Sequence, residues 1–294
     1  MIQKNTFTLV NPQTGHLAFK LYYFEKNNPF DHIQRMNYYS LIWVRTGAGT
    51  AKADFSEYKF KANDLFCFSP YQPFMLNADD EINGWVINFH PDFFCIHKHQ
   101  KEVACNGVLF NNIYNPPLVH IDNKTTASFE MVIDQFKTEM QNPALAQYEL
   151  LISYLKIFLI TASRLKTEQQ TEAQKAVAAD EEPFILQNLK NSIEAHYKTK
   201  HTARDYADML AITPKALSRL TKTYFNKTLT DLIAERIIIE AKRELYLTNK
   251  TVKEIAYELG YNDEYYFSRF FKKNADVAPQ LYRKTVGFDK ASAV

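Results

Sequence analysis

Hydrophobic positions change period along this chain. Up to about residue 90 they alternate or cluster in short runs, at 17–24, 38–45, 50–55, 57–60, 65–68, 74–77 and 85–89. Aromatic and β-branched residues dominate these runs, most clearly YYSLIWVR at 38–45, so each predicts a strand. Gly47 and Gly49, Asn63-Asp64, Ser69-Pro70 and Asn83-Gly84 supply the turn chemistry between them. Many short strands at close spacing predict a sandwich or small barrel. His90-Pro91 then opens a helical or irregular stretch, and the spacing lengthens to a helical period. It predicts helices over 125–140 and 143–166, the second with Tyr148, Leu151, Ile152, Leu155, Phe158, Leu159, Ala162 and Leu165 on one stripe. Residues 166–182, KTEQQTEAQKAVAADEE, are polar and alanine-rich without a buried stripe, and read as a linker.

The stretch 251–283, TVKEIAYELGYNDEYYFSRFFKKNADVAPQLYR, is the most informative. Thr251 and Glu254 have capping-box spacing; Ile255, Ala256 and Leu259 follow at helical spacing, and Gly260 stops the helix. After the turn 261–263 a second helix starts, with Asn262 or Asp263 as its cap. The period assigns Phe267, Phe270 and Phe271 to its core face together with Tyr266, and leaves Glu264, Tyr265, Ser268, Arg269, Lys272 and Lys273 outside. A first copy of the plan precedes it. Thr202 and Asp205 have capping spacing, and Ala203, Tyr206, Ala207 and Leu210 form a short apolar face. Residues 211–213 turn, and Thr213-Pro214 marks the next helix start. The helix 214–225 is expected to bury Leu217, Leu220 and Tyr224 and to expose Lys215, Ala216, Ser218, Arg219, Lys222 and Thr223. Two helix-turn-helix units follow, joined by a connector at 229–247. At about 1.5 Å per residue this connector is ~28 Å long, close to the ~34 Å between successive major-groove faces of DNA.

The ALGY-type turn, here ELGY at 258–261, with YYFSRFFKK and P-x-x-YR resembles the C-terminal signature of AraC/XylS-type transcription regulators over 183–285. Asp276 stands where that family usually has glycine, and Ala278 where serine or threonine precedes Pro279. The resemblance implies an α+β protein. A cupin-like β domain with following helices (1–165) would sense a small molecule or dimerise, a linker (166–182) follows, and an all-α domain with two helix-turn-helix units (183–294) reads DNA. It also implies that Lys215, Ser218, Arg219 and Lys222, and Glu264, Tyr265, Ser268 and Arg269, face the groove. Arginine chemistry assigns Arg219 and Arg269 to guanine, and Lys222, Lys272 and Lys273 to phosphates. The expected partners are duplex DNA, RNA polymerase, a small-molecule effector and a second copy of the chain through the helix at 143–166. A DNA-bound adaptor without effector, or an enzyme with an accessory reader, are the rival readings.

Charge supports a split chain. The net charge is +2, but residues 183–294 hold 19 Lys and Arg against 13 Asp and Glu, a net +6, and residues 1–182 are net −4. A basic C-terminal part suits a polyanion binder. Cys67, Cys95 and Cys105 are few and unpaired in sequence, which fits a reducing cytoplasm and lacks the clustered thiols of alkyl-accepting repair modules. No apolar run reaches the ~20 residues of a membrane span, and MIQKNTFTLV lacks a leader pattern, so export is not expected. His32, Trp43, Phe68, Phe74 and Trp85, with Phe66, are the candidates to line an effector pocket. Cys95-x-His97-x-His99 suits zinc only if alternate residues share a strand face. FHPDFF at 89–94 reads instead as a helix start, and His32 has no partner ligand at Phe74, so no metal or cofactor is expected. Phosphate loops, nucleophile elbows and paired catalytic carboxylates are missing from the sequence, so no enzymatic activity is expected.

Overall fold

The computed structural model describes residues 6–12, 15–25, 27–54, 56–177 and 184–286. The chain divides into two compact units: one takes residues up to Asn112 together with Pro116–Glu168, the other Ile113–Asn115 and everything from Gln169.

Among the described residues the first unit carries nine strands, β1 (Thr6–Val10), β2 (Leu17–Phe24), β3 (Tyr39–Thr46), β4 (Gly49–Ala53), β5 (Ser56–Phe60), β6 (Asp64–Phe68), β7 (Phe74–Ala78), β8 (Asn83–Phe89) and β9 (Leu118–His120). All pairings are antiparallel, in a six-stranded sheet ordered β1-β2-β8-β3-β6-β9 and a three-stranded sheet ordered β5-β4-β7. Ile42, Val44, Phe66, Phe68 and Val86 of the large sheet share a core with Ala51, Ala53, Phe60, Phe74 and Leu76 of the small one. The opposite face of the large sheet, with Leu41, Trp43, Leu65 and Phe89, packs on helices α2 (Asn123–Gln141) and α3 (Gln147–Val177), which follow the short α1 (Gln100–Val103). β3 is therefore buried on both faces from Tyr39 to Val44, which explains its unbroken apolar run. β1 and β9 escaped the sequence reading: β1 has one buried side chain, and β9 has three residues behind Pro116-Pro117.

Two helix boundaries shift from expectation. α2 begins earlier because Asp122 caps it, accepting from the Thr125 amide at 2.6 Å. α3 begins at Gln147, after Ala146 in the left-handed region, and continues to Val177. Residues 166–177, expected as linker, are thus helical, as the propensities of Ala, Glu, Gln and Lys favour; 178–182 lie outside the described residues. Lys166 itself is buried, its amine donating to the Pro116 carbonyl at 2.7 Å, and burial pulls its pKa down to about 8. The α3 stripe is covered within its own chain: Leu151, Leu155, Phe158, Leu159 and Ala162 are all buried. It is not a free dimer seam. Leu150 and Ile157 are the large apolar residues that α3 exposes instead.

The second unit is helical: α4 (Phe184–His196), α5 (Ala203–Met209), α6 (Pro214–Phe225), α7 (Leu229–Leu247), α8 (Val252–Glu258), α9 (Glu264–Ala275) and α10 (Pro279–Val286). Its starts are fixed by side chains. Thr202 with Asp205, Thr228 with Asp231, and Thr251 with Glu254 form complete capping boxes, and Thr213 caps α6 with Pro214 at its first turn. Asp263, rather than Asn262, caps α9. α10 forms despite Ala278, starting at Pro279.

Candidate nucleic-acid interface

α5 and α6 form one helix-turn-helix, α8 and α9 the other, with α7 between them in sequence. Each second helix is pinned by a narrow stripe, Leu217, Thr221 and Phe225 in α6 and Phe267, Phe271 and Ala275 in α9. These are i, i+4, i+8 positions, so each helix buries one ridge only. Four expectations are corrected on that ground. Leu220 and Phe270 are only half-buried, and Tyr224 (47% exposed) and Tyr266 (58%) lie outside, where the period had put them in the core.

The outward face carries the expected polar set. Lys215, Ser218, Arg219 and Lys222 are exposed on α6, and Tyr265, Arg269, Lys272 and Lys273 on α9, while Glu264 and Ser268 are half-buried. A concavity of about 560 Å³ opens beside α6, lined by Thr213, Lys215, Ala216, Arg219, Leu220, Thr223 and Tyr224. Thr223 and Tyr224 were not among the groove-facing residues expected from the sequence, which placed Thr223 outside and Tyr224 in the core. Arg269 lies 6.0 Å from the Tyr266 ring, which in turn sits 6.0 Å from Tyr261.

The electrostatics of these faces differ from those of the α7 region. There four cations each have a carboxylate: Lys227 with Glu235 at 2.7 Å, Arg236 with Glu194 at 2.8 Å, Arg243 with Glu240 at 2.7 Å, and Lys250 with Glu258 at 2.6 Å. Burial alone would raise the Glu240 carboxyl, but Arg243 and then Arg236 hold it below the ordinary value. By contrast, Lys215, Arg219, Lys222, Arg269, Lys272 and Lys273 have no carboxylate partner among the described residues. Six cations left uncompensated on two helix faces are a phosphate-seeking surface.

The pocket candidates of the first unit do not form one set: only Phe66, Phe68 and Phe74 come together. His32 is exposed and pairs with Asp31 at 2.7 Å. Trp43 is buried toward the helices, edge-on to Phe129 at 5.6 Å; Trp85, its cross-strand neighbour, lies half-buried under Lys137. Phe68 and Phe74 stack at 3.9 Å between the sheets, beside Phe66. Cys95, His97 and His99 lie in irregular and turn backbone before α1, so their alternation does not define a shared strand face. Cys67 and Cys105 are buried, which pushes each thiol up to about 12. No described helix is long and apolar enough to cross a membrane.

Capped short helices, a rigid connector and two basic outer faces define a double helix-turn-helix DNA-binding protein. Residues 206–285 match the family described as "Helix-turn-helix domain". The chain is 31% identical to the regulatory protein SoxS of Escherichia coli over 99 residues, spanning 34% of this chain and 92% of SoxS. It belongs to the AraC/XylS family of DNA-binding transcription regulators. It is also 37% identical over 84 residues to the transcriptional activator Btr of Bacillus subtilis, 29% of this chain but 16% of Btr. With the activator RhaR of Cronobacter sakazakii it shares 22% identity over 254 residues, 84% of each chain. The chain spans less than half the length of the first relatives it matches, 16% of Btr and 46% of the raffinose operon regulator RafR of Pediococcus pentosaceus.

Proposed function

We propose that this chain is a sequence-specific regulator that binds duplex DNA through α6 and α9, with a non-catalytic first unit. The observation that carries it is the set of cations without carboxylate partners on both outer faces, against the paired Lys227, Arg236, Arg243 and Lys250 around α7. Lys215, Ser218, Arg219 and Lys222 enter one groove segment, and Glu264, Tyr265, Ser268 and Arg269 the next; Lys272 and Lys273 contact phosphate. Residues 183–294 form the reader, 1–165 the sensor or dimerisation module, and 166–182 the joining segment. The protein works in the cytoplasm, where a small-molecule effector acts on the cupin-like first unit and bound protein contacts RNA polymerase. Two copies associate through the α3 residues left outside, Leu150 and Ile157. Selection of random duplexes by the full chain tests the reading. A bipartite motif with its halves about one helical turn apart supports it; an unenriched pool overturns it.

A further inference from the structure

We propose that the first turns of the two recognition helices divide the base code: that of α6 reads a purine through Lys215, whereas that of α9 reads pyrimidines, with Arg269 on guanine further along the same helix. In the first turn of α9 Glu264 accepts from a cytosine amino group and Tyr265 packs on a thymine methyl. This rests on the DNA-reading function proposed above and assigns it base by base.

A recognition helix reaches base edges chiefly with its N-terminal residues, and the two first turns differ in chemistry. α6 opens Pro214-Lys215-Ala216, α9 opens Glu264-Tyr265-Tyr266. Glu264 has no cation partner among the described residues, and the capping role beside it is already filled by Asp263, which accepts from the Tyr266 amide. A carboxylate on a DNA-facing turn is repelled by phosphate and gains only where a base donor meets it. In the major groove those donors are cytosine N4 and adenine N6, and adenine sets the N7 acceptor beside its donor. A carboxylate offers only acceptors, so cytosine is its match.

Tyr265 is 68% exposed, and among the described residues it makes no ring, cation or hydrogen-bond contact. Its neighbour Tyr266 is engaged sideways by Tyr261 and Arg269. An exposed ring on the first turn of a groove-entering helix meets one apolar group on the base edges, the thymine C5 methyl.

The test uses the full chain and the duplex obtained by selection, taking as the α9 half-site the half whose preference changes in Arg269→Ala. Each thymine there is replaced singly by deoxyuridine, which removes only the methyl. One replacement should weaken wild type about fourfold, the effect of one buried methyl-sized group, and should not weaken Tyr265→Ala further. Glu264→Gln should move one position from cytosine to adenine, by roughly 5- to 100-fold, since glutamine pairs bidentately with adenine. An unchanged circular dichroism spectrum and thermal melt establish that each variant folds. Uracil insensitivity at every thymine overturns the Tyr265 assignment. An unmoved cytosine preference in Glu264→Gln overturns the Glu264 assignment and leaves that residue to the helix dipole. Both are distinct from an empty selection, which removes the DNA-reading function itself.

Discussion

Gly260 and Ala211 occupy the matching turns of the two helix-turn-helix units, and both lie at positive φ, +81° and +53°. They respond to substitution in opposite directions. A Cβ at Gly260 would stand 2.1 Å from the Lys198 carbonyl oxygen, so Gly260→Ala adds a backbone clash to the left-handed penalty. It should cost ~2 kcal/mol or more in urea unfolding. Ala211→Gly relieves the same penalty and should gain up to ~1 kcal/mol after the added chain entropy. Turn and cap residues of this kind were legible before any coordinates: Thr202, Thr213, Thr251 and Gly260 sit where their chemistry requires. Tyr224 and Tyr266 were not. A 12-residue helix packed by one ridge exposes aromatic residues that a wider helical stripe would bury, and periodicity alone does not reveal the ridge.

At the scale of elements, α7 is held by ion pairs made from residues along it and its neighbours. Glu240 is 7% exposed and joins Arg236 at 3.4 Å and Arg243 at 2.7 Å. Because its folded pKa is depressed, its contribution is present above its unfolded value and is lost as pH falls through the folded value. Glu240→Gln should therefore destabilise the protein at pH 7, by about 1 kcal/mol because Arg236 keeps Glu194 and Arg243 keeps Glu244. The gap from wild type should narrow once the medium is more acidic than the ordinary glutamate range, read by thermal melts across pH. The sandwich was largely legible in its strands because runs of aromatic residues with turn signals mark them independently of pairing. Which candidates share a space was not, since Trp43 and Phe68 lie on strands of one sheet and on opposite faces of it. Sheet order decides that, and sequence spacing does not record it.

For the whole molecule, the surface left outside bears on the proposed dimer. Leu155 is 0% exposed, so Leu155→Glu should unfold the first unit rather than report on association. Ile157 is 51% exposed and Leu150 37%, so Ile157→Glu should keep the fold and lower the dimer fraction in sedimentation velocity. Wild type that sediments as a monomer at micromolar concentration, with and without operator, contradicts the dimer. The stripe expected to form a dimer seam is unavailable for one, because most of it is consumed by the chain's own sheet.

The central claim is that α6 and α9 read bases with Arg219 and Arg269 rather than merely attracting phosphate. Affinities of the full chain for the selected duplex and for random duplex, measured across salt, test it directly. Arg219→Ala and Arg269→Ala should each lose about 1–3 kcal/mol on the selected site and little on random DNA. Lys272→Ala should weaken both duplexes alike and reduce the salt slope by ~1. Equal losses on selected and random DNA for both arginine variants would contradict the claim.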